Sequence, residues 1–161
     1  GATATIRGQA LTVMCAIYVI DFAISDARIL SKSTSANDAD QLFLLATDGN
    51  RLLTRLTTGS GFSLYSTAGT LPTGTWVHVA VTYDGADLRL YQDGVEVNSL
   101  AMTGPVAMNT AASMFVGNQP PSGGKAFNGY IDEVVVHDRA LSSAEILANV
   151  NGGFDYRVQF A

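Results

Sequence analysis

Gly74-Thr-Trp-Val-His-Val-Ala-Val-Thr-Tyr-Asp-Gly-Ala-Asp-Leu-Arg-Leu-Tyr-Gln-Asp-Gly-Val-Glu-Val-Asn98 is the stretch that decides the fold. Within it, Trp76 to Tyr83 is an unbroken β-branched and aromatic run without proline. Such side chains lose little rotamer freedom on a pleated surface and so favour a buried strand. Asp84-Gly85 ends the run, Leu88 to Gln92 starts a second strand, and Asp93-Gly94 leads into a third at Val95-Glu96-Val97. Aspartate and glycine accept the positive φ angles of a type I′ turn, whose twist matches that of the flanking strands. Three antiparallel strands in one short stretch make a β-meander. One sheet cannot bury its apolar face alone, so the rest of the chain must supply a second.

Outside the meander, strands are expected at Leu11 to Ile20, Arg28 to Ser33, Gln41 to Thr47, Arg51 to Thr57, Phe62 to Thr67, Ser113 to Asn118 and 126 to 137. Leu11 to Ile20 is almost continuously apolar, as a central strand covered on both faces would be. Trp76 is expected in the core. Asp48-Gly49-Asn50 reads as a three-residue hairpin loop, and Thr34 to Asp40 and Gln119 to Gly124 read as loops. Ala4 to Ile6 and Asp155 to Phe160 are expected as minor strands. Ser142-Ser-Ala-Glu145 is a capping box that opens a short helix, closed by Gly152-Gly153. Strands separated by regular turn signals point to an all-β, two-sheet antiparallel sandwich.

The 161 residues suit one domain spanning 1–161. Only 14 % are charged, against about 25 % in typical soluble domains. A net charge of −5 argues against nucleic acid as partner, because phosphate binding needs clustered Lys and Arg. No segment reaches the ~20 apolar residues needed to span a bilayer, so membrane insertion is not expected. The single cysteine, Cys15, forms no intrachain disulfide and reads as a small core residue.

The meander, with its Trp-Val-His-Val-Ala-Val-Thr-Tyr-Asp-Gly and Leu-Tyr-Gln-Asp-Gly segments, resembles the centre of laminin-G-like domains of the concanavalin A-like lectin/glucanase superfamily. A second match is Phe127-Asn-Gly-Tyr-Ile-Asp-Glu-Val-Val-Val-His-Asp-Arg-Ala-Leu-Ser-Ser-Ala-Glu-Ile146, which is similar to the closing strand and short helix of that family. Ala27 to Lys32 is a weaker third. The resemblance implies a jelly-roll sandwich with one short helix near the C-terminus. It also implies a recognition module of a secreted or cell-surface protein, binding glycan or an extracellular protein.

Glycosidases need two carboxylates flanking the scissile bond. Asp132 and Glu133 are adjacent, so on a regular strand they face opposite sides. Glu96 follows a hairpin turn and Glu145 belongs to the capping box, so no enzyme is expected. His78 and His137 stand without metal-ligand spacing. Aromatic faces combined with planar polar groups suit sugars. On that ground Tyr18, Lys32, Gln41, His78 and Arg89 are the candidate ligand-binding residues, on a concave sheet face or a loop rim. Calcium is the expected cofactor. In related domains it bridges the closing strand to the N-terminal one, which the resemblance places on Asp132. A structural domain that pairs into a homodimer through an edge strand is the alternative.

Overall fold

The computed structural model describes residues 8–35, 40–59, 61–66 (backbone only), 71–107, 109, 111–119 and 123–152. Among the described residues, ten strands and one helix follow one another: β1 (Leu11–Val19), β2 (Ala27–Ser33), β3 (Gln41–Asp48), β4 (Arg51–Thr58), β5 (Gly61–Ser66), β6 (Trp76–Tyr83), β7 (Asp87–Gln92), β8 (Val95–Ala101), β9 (Ser113–Val116), β10 (Gly129–His137) and α1 (Ser143–Asn151). They form two five-stranded sheets, ordered β10-β1-β6-β7-β8 and β5-β4-β3-β2-β9. Every pairing between named strands is antiparallel. The jelly-roll sandwich is therefore the observed architecture. The expected strands at Ala4 to Ile6 and Asp155 to Phe160 lie outside the described residues, as do parts of both loops.

Alternation along the strands sorts side chains between the two faces of each sheet. Leu11, Val13, Cys15, Ile17 and Val19 of β1 point into the space between the sheets, with Val77, Val79, Val81 and Tyr83 of β6 beside them. The second sheet contributes Leu30, Phe43, Leu45, Leu52 and Leu56. Cys15 is enclosed there, and burial pushes its thiol pKa up to about 12, so the sulfur serves as an inert core atom.

β1 reads as apolar on both faces because both are covered. Its outward Met14 packs with Ala80, Tyr91, Leu141 and Ile146, a second cluster beneath α1. Thr12 ties down the segment that enters the helix: its Oγ1 donates to the Arg139 carbonyl and accepts the Leu141 N–H, both at 2.8 Å. The capping box forms as expected, with Ser142 Oγ accepting the Glu145 N–H and the Glu145 carboxylate accepting the Ser142 N–H at 2.8 Å. Gly94, at φ +79°, lies against α1. A Cβ there would stand 2.7 Å from Leu147 Cδ1, so the β7–β8 turn and the helix pack tightly.

Three local expectations need correction. Asp48 pairs with Arg51, so the β3–β4 turn contains two residues, Gly49 and Asn50, rather than three. The closing strand begins at Gly129, with Ala126 making only an isolated bridge to Arg28. β10 also does not alternate regularly. Ala16 faces Asp132 and Met14 faces Val135, so Glu133 and Val134 together oppose Cys15. This is a β-bulge, and Glu133 takes φ +51° within it.

Candidate functional site

The outer face of the first sheet is covered by α1 at one end only. At the other end three aromatic side chains stand in one row across adjacent strands. The register pairs Tyr18 of β1 with Tyr130 of β10 on one side and with Trp76 of β6 on the other. Ring centroids are 5.7 Å apart for Tyr18–Tyr130 and 5.8 Å for Tyr18–Trp76, with planes inclined at 58° and 63°. The row is therefore ridged rather than flat. Tyr130 remains 60 % exposed and Trp76 45 %, which corrects the expectation that Trp76 is a core residue. Parity decides the matter: Val77 and Val79 fill the core, so Trp76 and His78 must face outward.

Next along the same face is a row formed by Asp132, Ala16 and His78. Here a pocket of about 110 Å³ opens, lined by Trp76, Val77, His78, Asp93, Glu133, Asn149 and Val150. The β7–β8 turn supplies Asp93, the bulge in β10 supplies Glu133, and the last turn of α1 supplies Asn149. Asp93 Oδ1 accepts the backbone N–H of His78 at 2.9 Å, and Asp93 N–H donates to the His78 carbonyl at 2.8 Å. The turn is thus bolted to β6. Desolvation lowers the His78 pKa and the Asp93 carboxylate pulls partly against it, so the imidazole is neutral near pH 7. Its Nδ1 is buried without a hydrogen-bond partner.

The residues expected at the site divide between the sheets. Tyr18 and His78 share this outer face, and Asp132 lies in the His78 row. Arg89 is on the same face but at the far end, opposite Thr82. Its guanidinium is held by Asp84 at 2.6 Å and Asp87 at 2.7 Å, with Glu96 at 3.8 Å. The Asp84 carboxyl, hydrogen-bonded by Arg89 above all, is lowered to about 2 despite its partial desolvation. Arg89 is therefore a strut of the β6–β7 turn. Lys32 and Gln41 belong to the second sheet. Lys32 is half-buried on β2, opposite Phe43 and Met114, while Gln41 is fully buried with its Nε2 3.4 Å from the Ser35 carbonyl.

Sequence reasoning passed over Tyr130, Asp93, Glu133 and Asn149. Tyr130 was within reach, because matching β10 to β1 antiparallel sets two tyrosines side by side. Glu133 was not, since its orientation depends on the bulge.

Calcium requires six to eight oxygen ligands. Among the described residues no three His, Cys, Asp or Glu side chains gather at metal-binding distance. Asp132 Oδ1 instead accepts the Glu133 N–H at 2.8 Å, which shapes the bulge.

Comparison with curated protein sequences finds no relative. Solved structures share the fold at low identity. The Ruminococcus gnavus IT-sialidase CBM40 superposes with a TM-score of 0.74 at 16 % identity, over 88 % of this chain and 82 % of that one. The native heptameric SAP-like pentraxin from Limulus polyphemus gives 0.68 at 16 %, over 92 % and 73 %. Domain 4 of AbnA, an extracellular arabinanase from Geobacillus stearothermophilus solved with arabinotriose, gives 0.67 at 21 %, over 89 % and 66 %. A laminin G-type family model matches residues 2–147. With that match spanning most of its length, the chain belongs to the concanavalin A-like lectin/glucanases superfamily.

Proposed function

We propose that this domain is a non-catalytic glycan-binding module of a secreted or cell-surface protein, and that its binding surface is the Tyr130–Tyr18–Trp76 row with the adjoining pocket. The observation that carries this reading is the exposure of two large aromatic rings, 60 % and 45 %, on a face whose other half is sealed by a helix. Three strands at the usual spacing span about 10 Å, enough for a short oligosaccharide to lie across the row. Aromatic rings present apolar faces to the C–H side of a sugar, and the pocket beside them supplies polar groups that fix orientation. The similarity to a sialidase CBM40 and to an arabinanase domain solved with arabinotriose supports a glycan ligand. The binding experiment is a glycan array read with the wild type, Trp76→Ala and Tyr130→Ala. Binding lost in both variants is the expected result. No binding by the folded wild type to any glycan would end this reading.

A second reading comes from the pocket itself, because Asp93 of the β7–β8 turn and Glu133 of the β10 bulge give it two carboxylates. Hydrolysis would need one of them as a general acid, held protonated by an apolar enclosure. Both residues are exposed, so no apolar enclosure surrounds either carboxyl. Release of reducing sugar by the wild type, abolished in Glu133→Gln, would restore the enzyme.

A further inference from the structure

The pocket beside Trp76 has a chemical bias that the aromatic row does not determine. Its charged lining is wholly anionic. Asp93 and Glu133 bring carboxylates, and Asn149, one of whose Nδ2 hydrogens is donated to the Glu145 carbonyl at 2.7 Å, adds its Oδ1 as a further acceptor. Among the described residues that line it, none is Lys or Arg. The guanidiniums of Arg89 and Arg139 are engaged elsewhere, Arg89 with Asp84 and Asp87 and Arg139 with Glu145. One wall is the exposed Trp76 ring, so a ligand seated here touches an aromatic surface and carboxylates at once. Such a combination favours cations, which gain both from the ring quadrupole and from charge-assisted hydrogen bonds. The neutral His78 imidazole adds no positive charge to oppose them.

We propose that this pocket is a subsite for a protonated amino sugar, and that it rejects glycans ending in a carboxylate or sulfate. The inference rests on the glycan-binding reading above and names the sugar class. A primary ammonium offers three N–H donors to the three acceptors of the lining. N-acetylation removes the charge and two of those donors. An acidic sugar would set like charge against Asp93 and Glu133 in a protein that already carries a net charge of −5.

The test is calorimetric titration with a glucosamine oligosaccharide, its fully N-acetylated counterpart and sialyllactose. The wild type should bind the free amine about fivefold or more tightly than the N-acetylated form, as one partly exposed ion pair provides. Sialyllactose should bind weakest. Glu133→Gln should bring the amine-to-acetyl ratio toward one, and so should Asp93→Asn, which keeps an oxygen for the His78 N–H. Added salt should compress the ratio in the wild type. Equal or tighter binding of the N-acetylated sugar would overturn the inference, as would a ratio unchanged in both folded variants. In either case binding that still disappears in Trp76→Ala leaves the glycan reading standing. Absence of binding to all three sugars and to a wider glycan array would remove both.

Discussion

Truncation of Trp76 to alanine should separate the roles of this ring in folding and in recognition. A fully enclosed tryptophan buries about 200 Å². With 45 % of its surface exposed, roughly half of that area, about 100 Å², is covered here, mostly against Tyr18 and the sheet. At ~25 cal/mol per Å² the loss is about 2.5 kcal/mol. That figure is an upper value, since the unfolded chain already hides part of the area. No cavity contribution adds to it, because the vacated space opens to solvent. The expected destabilisation is therefore about 1.5 to 2 kcal/mol, below the ~3 to 5 kcal/mol of a core aromatic. Urea unfolding measures it, and the melting temperature should fall by about 4 to 8 °C. Glycan affinity, measured where the variant is fully folded, should drop by about 2 kcal/mol or more, roughly 30-fold, as for a central anchor. Trp76→Phe should recover most of the stability and part of the affinity. A loss of 4 kcal/mol in stability with unchanged glycan affinity in the folded variant would refute the reasoning and return Trp76 to a packing role.

Other perturbations test the frame that holds the site. Gly129→Ala should disrupt the β1–β10 pairing, because its Cβ would stand 2.0 Å from the Tyr18 carbonyl oxygen; lost amide protection along β10 by hydrogen exchange is the readout. Gly94→Val should cost about 3 kcal/mol in urea unfolding, combining positive-φ strain with the collision against Leu147. Glu133→Gly should raise stability by about 1 kcal/mol, since glycine adopts φ +51° freely, and it should weaken sugar binding at the same time. Acid should loosen the helix. The Glu145 carboxyl is lowered to about 2, first by its hydrogen bond from Arg139 and then by those from Ser142. A depressed folded-state pKa gives stability that is present above the unfolded value near 4.3 and lost as pH falls through about 2. Helical ellipticity followed from pH 5 to 2 should decline in the wild type and be flat over that range in Glu145→Gln.

Sheet topology could be anticipated because turn chemistry and strand parity are local. Asp93-Gly94 dictates a hairpin wherever it sits between branched runs, and Ser142 with Glu145 marks a helix start by hydrogen bonds that span three residues. The direction each face takes is not local. In Trp76 to Tyr83 both parities are apolar, since Ala80 lies beneath α1 while Val79 lies between the sheets. Only the position of the helix tells the two faces apart, and so Trp76 reads as core from the sequence. The pocket was hidden for a related reason. Its carboxylates come from a turn and a bulge, and a bulge breaks the strict alternation on which the opposite-face argument for Asp132 and Glu133 depends. Lys32 and Gln41 have suitable chemistry for a sugar, but the strand order sends them to the other sheet.

The chain contains a single tryptophan, so intrinsic fluorescence reports on the proposed surface directly. Titration with an oligosaccharide shown to bind by calorimetry should shift the Trp76 emission to the blue and shield it from acrylamide quenching, saturating at the calorimetric Kd. Saturable binding that leaves both the emission and the quenching of Trp76 unchanged would contradict the account.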